Sequence, residues 1–175
     1  MGVEIERKFL VEDIPDDLSK YDRHRIEQGY LNVSPAIRVR REDDKFYMTY
    51  KGLKDASRIG QEEYNLFLDE GSYLHLLDKA DGNIIRKDRY IIPLNEDAYD
   101  EAFLEQNADL SDKIRSGEIK IELDIFDEPY KGYVIAEVEF PSEEAAAAYR
   151  RASWFKEDVT GDYRYSNAYM SRSRE

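Results

Sequence analysis

The chain has 175 residues, 41% of them hydrophobic and 37% charged, with a formal net charge of −13, no cysteine and two histidines. That length suffices for one domain with its own core, expected to span 1–175. The acidic balance argues against nucleic-acid and anionic-membrane partners, and the missing cysteines exclude disulfides and thiolate chemistry. His24 and His75 are too few for a multi-histidine metal site. No apolar run approaches the roughly 18 residues of a membrane helix, and the start lacks a signal-peptide layout, so a soluble, cytoplasmic protein is expected.

Alternation of apolar and polar residues predicts eight strands, over 3–11, 25–33, 36–41, 45–51, 62–68, 84–92, 118–126 and 133–140. Turn residues such as Ser34-Pro35 and Glu42-Asp43-Asp44 separate them. Helices are predicted over 72–79, 142–151 and 166–172, and a polar stretch over 95–117 reads as a partly helical insertion at a rim. Short spacings favour an antiparallel meander, and eight antiparallel strands can close into a barrel without edges. The expected fold is therefore mainly β, an eight-stranded closed barrel with a few surface and capping helices.

In the first strand, Glu4, Glu6 and Lys8 share one face while Ile5, Arg7 and Phe9 take the other. Carboxylates suit a hard cation and a lysine suits phosphate, so the row reads as half of a metal-phosphate site. Glu118-Ile119-Lys120-Ile121-Glu122-Leu123-Asp124-Ile125 is charged on one face and aliphatic on the other. Alone, such a strand fits a sheet with one solvated face.

Other strands segregate by sign: Arg38 with Arg40, Thr49 with Lys51, Lys87 with Arg89, and Glu137 with Glu139. Segregation suggests a lined cavity. Its proposed lining sets eight acids (Glu4, Glu6, Glu63, Glu118, Glu122, Asp124, Glu137, Glu139) against eight bases (Lys8, Arg38, Arg40, Lys51, Lys87, Arg89, Lys120, Arg164). The cavity would be neutral overall and the outside would hold the whole excess. A polyanion with divalent cations would neutralise both halves at once. Arg7, Arg41, His24 and His75 are expected at the surface or rim, and Trp154 with Phe155 in packing.

Glu4-Ile5-Glu6-Arg7-Lys8 resembles the Glu-x-Glu-x-Lys signature of CYTH domains, the triphosphate tunnel metalloenzymes. Gln28-Gly29-Tyr30-Leu31, Arg38-Val39-Arg40, Thr49-Tyr50-Lys51, Glu63-Tyr64, Lys87-Asp88-Arg89-Tyr90, Glu122-Leu123-Asp124, Glu137-Val138-Glu139, Asp158-Val159-Thr160-Gly161-Asp162 and Arg164-Tyr165-Ser166-Asn167 follow in that family's order. The resemblance implies a barrel whose lumen binds a triphosphate, and commonly a homodimer. It implies phosphate contacts from Lys8, Arg38, Arg40, Lys51, Lys87, Arg89 and Arg164. It likewise implies metal sites on Glu4, Glu6, Glu63, Glu122, Asp124, Glu137 and Glu139, for Mg²⁺ or Mn²⁺, two per site. By motif, Tyr30 and Lys87 fall where tripolyphosphate-cleaving members use a tyrosine and a lysine.

Gln61 and Asn65 stand where many members carry an arginine and a second glutamate, and Tyr163 where they often carry lysine. The leading expectation is hydrolysis of inorganic tripolyphosphate to pyrophosphate and phosphate. A class IV type adenylate cyclase or a thiamine or nucleoside triphosphatase would use the same clamp. A non-catalytic polyphosphate-binding module is the reading from another class, with Gln61 and Asn65 as marks of decay.

Overall fold

Alternating side chains give one antiparallel sheet in the computed structural model, which describes residues 2–52 and 61–172. Its strands are β1 (Gly2–Val11), β2 (Asp22–Val33), β3 (Ala36–Glu42), β4 (Lys45–Lys51), β5 (Gln61–Leu68), β6 (Asp81–Pro93), β7 (Lys120–Phe126), β8 (Val134–Phe140) and β9 (Phe155–Asp158). The order is β5-β4-β3-β2-β6-β7-β8-β1-β9, and β5 also pairs with β1 through Gly2 with Glu63, Val3 with Glu62 and Glu4 with Gln61. All eight predicted strands are present. Two meanders, β2 to β5 and β6 to β8, join along β2 and β6, while β1 lies beside β8 rather than β2.

β9 was not predicted. Phe155-Lys156-Glu157-Asp158 is too short and too polar to show alternation, and its pairing with Phe9, Leu10 and Val11 of β1 supplies what the sequence pattern lacks. Phe155 stacks on Phe9 with ring centroids 4.6 Å apart. Just beyond β9, the Thr160 hydroxyl accepts a 3.0 Å hydrogen bond from the Lys8 backbone N–H.

The main core lies on the apolar face of β1, β6, β7 and β8. Phe9, Ile121, Leu123, Ala136, Val138 and Phe140 are buried there under the segment 95–117 and helix α4 (Glu143–Ala148). The predicted insertion folds into α2 (Glu101–Gln106) and α3 (Ala108–Arg115), and Tyr99 and Leu110 from it are part of this core. Its polar composition hides that contribution, because only a few residues per turn face inward.

Arg7 faces away from the charged side, as parity requires, but it serves the interior layer rather than the surface. Its Nη1 donates to the Ala146 and Tyr149 carbonyls at 3.2 and 2.9 Å, and its Nη2 pairs with Asp158 at 2.5 Å. Arg41 stays exposed and His24 half-buried, and both bind Asp43 in the β3–β4 turn, where Asp43 has φ 54°. Among the described residues, no helix is long and apolar enough to cross a membrane.

Helix α1 (Glu70–Leu77) carries the chain from β5 across β4, β3 and β2 towards β6. Asp69 caps it by accepting from the Ser72 N–H at 2.7 Å. It seats on Gly29, where a Cβ would lie 2.7 Å from the Ala80 Cβ and 2.9 Å from the Leu77 Cδ1. That contact leaves no room for a side chain. Gly29→Val is therefore expected to destabilise the fold by about 1–3 kcal/mol, read as a lower urea midpoint at unchanged slope; an unchanged midpoint would show that α1 does not dock there.

Candidate active site

The charged face is layered by depth. Lys8, Arg38, Arg40, Lys87 and Arg89 are each at most 9% exposed. Among the described carboxylates, only Asp124, fully buried, and Glu137, with a 13% exposed side chain, lie at similar depth. Five cations against two carboxylates give this layer an excess of three positive charges, part of which the shallower Glu122 meets through Arg89. Over the whole predicted lining the charges balance, but depth separates them.

Asp124 anchors the layer. Arg89 grips it as a fork, Nε to Oδ1 and Nη2 to Oδ2, both at 2.7 Å, and Lys87 pairs with the same Oδ2. Arg89 also reaches Glu122 and, at 2.8 Å, Glu137, whose other oxygen holds Lys8 at 2.8 Å. Burial opposes ionisation of Asp124, yet Arg89 and Lys87 outweigh it and hold its carboxyl below the usual range. Glu137 is held well below, with Lys8 and Arg89 overcoming burial. Burial brings the Lys87 ammonium down to about 8, because Asp124 offsets only part of the desolvation and Arg89 adds to it.

Arg38 and Arg40 complete the layer from β3. Arg40 donates through Nε to Gln28 Oε1 at 2.9 Å and through Nη1 to the Tyr47 hydroxyl at 3.3 Å. Arg38 Nε is buried without a hydrogen-bond partner. A guanidinium N–H left unsatisfied in the interior is costly, and an anion supplied from outside would complete it.

The remaining carboxylates are shallower. Glu6 faces Glu139 directly across β1 and β8, and Glu122 faces Glu137 across β7 and β8. Burial and the neighbouring Glu122, Glu63 and Glu6 raise the Glu139 carboxyl. Lys51 bridges Glu4 and Glu63, the latter at 2.9 Å. Burial pushes Glu4 up to about 7, while Glu63, where Lys51 and Arg38 outweigh burial, falls to about 2.

Among the described residues, no three of these side chains converge on a point as a ready-made cation site. The donor set nevertheless fits Mg²⁺ or Mn²⁺, which are commonly held by one or two carboxylates together with substrate phosphates. Glu6 and Glu139 offer such oxygens free of close ion pairs, with Lys8 3.7 Å from Glu6. Asp124, by contrast, already commits both oxygens to cations.

Tyr30 is 3% exposed, and its hydroxyl is 3.5 Å from Gln28 Nε2. Arg164 stands apart from the layer, 71% exposed and forked onto Asp162. Glu118 is also outside, 65% exposed beside Lys113. Tyr163 is exposed against Tyr169. Asn65 donates to Glu63 at 3.0 Å and accepts from Thr49 at 2.6 Å, while the side chain of Gln61 lies outside the described residues. Sequence reasoning missed the orienting roles of Gln28 and Thr49, although both share parity with the clamp: Gln28 pairs with Arg40, and Thr49 with Arg38.

An antiparallel sheet that buries an excess of cations on one face is an anion-binding architecture. The chain belongs to the CYTH domain family, which residues 2–148 match. It is 32% identical over 173 residues to an inorganic triphosphatase of Nitrosomonas europaea, covering 97% of each chain. An inorganic triphosphatase of Acetivibrio thermocellus is 30% identical over 178 residues, covering 99% of this chain and 96% of its own. A crystal structure of an inorganic triphosphatase shares the fold with a TM-score of 0.65 at 28% identity, over 99% of this chain and 97% of that one.

Removing the anchor tests the layering. Asp124→Asn leaves Lys87 and Arg89 without their buried counter-charge and is expected to cost about 3–5 kcal/mol of stability. Chemical denaturation measures it, and a loss below about 1 kcal/mol would be that of an exposed pair instead.

Proposed function

We propose that the protein is a metal-dependent triphosphatase that hydrolyses inorganic tripolyphosphate to pyrophosphate and phosphate. The observation that carries this reading is the buried layer of five cations against two carboxylates, with Arg38 Nε unsatisfied. Only a polyanion compensates it without bringing in further protein charge. The named activity of the two relatives supports the same substrate.

In this reading the sheet works as a closed tunnel, supported by the pairing of β5 with β1. Lys8, Arg38, Arg40, Lys87 and Arg89 grip phosphate oxygens, the arginines as forks, with Lys51 nearer the mouth. Mg²⁺ or Mn²⁺, held by Glu6 and Glu139 with help from Glu4, Glu63 and Glu122, would neutralise phosphate charge and make a bound water more acidic. Asp124 and Glu137 hold the clamp cations in place.

Hydrolysis adds water to a terminal phosphorus and breaks its bond to the bridging oxygen. Pyrophosphate departs with the electron pair, and the proton of the water passes to a base. We assign the orientation of that water to Lys87 and Tyr30, a reading supported by the position of both at the inner end of the layer near Ile85. The outward faces of β4 and β5 expose Tyr50, Tyr64 and Leu66, an apolar strip that supports a homodimer. Action in the cytoplasm accords with a chain free of cysteine.

A panel of tripolyphosphate, ATP, thiamine triphosphate and pyrophosphate with Mg²⁺ or Mn²⁺ tests the substrate. Tripolyphosphate is expected to release phosphate fastest, with no cyclic AMP from ATP and no release after chelation. Faster turnover of ATP would overturn the substrate, and no release from any of them would leave a binding module. Glu6→Gln is expected to lower kcat/KM by roughly 100-fold or more at unchanged Tm, and Lys8→Met to lower it as much while also lowering Tm, because Glu137 loses a buried partner. Full turnover in a folded Glu6→Gln protein would refute the metal assignment.

A further inference from the structure

The charged row stops at one level on six strands. Two positions beyond each charged or polar group an apolar or aromatic residue follows: Leu10 after Lys8, Tyr30 after Gln28, Ala36 before Arg38, Ile85 before Lys87, Phe126 after Asp124 and Ile135 before Glu137. Beyond Leu10, which pairs with Ile135, the strands are staggered by two residues, so that Ile135 faces Asp124, Phe126 faces Lys87 and Ile85 faces Gln28. Tyr30, Ile85, Phe126 and Ile135 are each at most 3% exposed, and Leu10 and Ala36 pack against them.

The C-terminal segment covers this cluster. Met170 and Ala168 of helix α5 (Asn167–Met170) join it, with Tyr165 just before. The Ser171 carbonyl accepts from the Asn83 N–H at 2.6 Å and fixes the segment to the start of β6. A hollow of about 270 Å³ lies beside Tyr30 at this end, lined also by Asn32, Asp81 and Arg172 and by none of the five buried cations. A phosphate pushed past Lys87 would meet hydrocarbon, where its charge would be unpaired.

We propose that the site has a single mouth and takes a linear polyphosphate only by a chain end, its depth fixed by the floor of Leu10, Tyr30, Ala36, Ile85, Phe126 and Ile135. This rests on the phosphate grip described above. The floor excludes threading, so an internal stretch of a long chain, a ring, or a chain blocked at both ends cannot reach the deep cations. Short linear chains are the class of substrate that fits.

Long-chain linear polyphosphate and the same polymer with both terminal phosphates esterified test this, beside tripolyphosphate and cyclic trimetaphosphate. Unblocked chains are expected to shorten gradually from their ends, and the blocked polymer and the ring to react at least about 100-fold more slowly than tripolyphosphate. Mid-length fragments at early times, or equal cleavage of the blocked polymer, would overturn the single mouth. Failure to hydrolyse tripolyphosphate itself would instead overturn the underlying reading and this one with it.

The floor is tested separately by adding a cation to it. Leu10 and Ala36 are only partly buried, so Leu10→Lys and Ala36→Lys can lay their stems along the floor. Either folded variant is expected to raise the ratio of kcat/KM for tetrapolyphosphate over tripolyphosphate roughly tenfold, the worth of one charge-assisted contact. An unchanged ratio in both folded variants would overturn the floor as the measure of depth.

Discussion

The fork of Arg89 on Asp124 is the contact on which the charged face depends. Through it one guanidinium links β6 to β7, and its further contacts with Glu122 and Glu137 extend the link to β8. Glu137 then passes it to Lys8 on β1. At the level of the clamp hydrophobic burial does not cement this face, because the main apolar core lies on the other side of the same strands and the smaller cluster lies beyond Lys87. Paired charges therefore take its place here, and they are strong because water is excluded.

That anchoring is deliberately incomplete in sign. Two carboxylates fix the geometry of Lys8, Lys87 and Arg89, but Arg38 and Arg40 rely on neutral or distant partners, Arg40 on Gln28 and Tyr47. A neutral acceptor orients a guanidinium without cancelling its charge. The layer thus stays organised and still attracts an anion, which is the preorganisation that charge stabilisation requires. Burial, and after it repulsion from the neighbouring shallow carboxylates, raises the Glu139 carboxyl. A polyanion seated deep and a divalent cation nearer the mouth relieve both excesses.

Parity made much of this legible in the sequence. The faces of β1, β3, β6, β7 and β8 follow from alternation, and nine of the sixteen residues of the expected lining do meet as ion pairs across strands, Arg89 with Asp124 and Lys51 with Glu4 among them. Depth was not legible, because alternation tells which face a residue takes and not how far along the strand solvent reaches. Arg164 and Glu118 went astray for a related reason: they lie outside the regular strands, where parity has no meaning. Arg7 was read as a surface residue because its partners, two carbonyls near the end of α4 and Asp158, are about 140 to 150 positions away. The floor was written as six ordinary apolar residues, each unremarkable in its own strand. Only their packing into one cluster shows that they belong together.

Asn65 shows how a departure from the family pattern can preserve a site rather than erode it. A glutamate there would add a charge beside Glu63, which already shares Lys51 with Glu4. The amide instead donates to Glu63 and accepts from Thr49, so it orients the carboxylate while leaving Lys51 to balance two acids instead of three. With Glu4 raised to about 7 in that company, a third acid would be expected to protonate or to draw Lys51 away. Neutral polar residues thus do at the mouth what Gln28 does in depth: they hold a charged partner in place without spending the charge that the ligand needs.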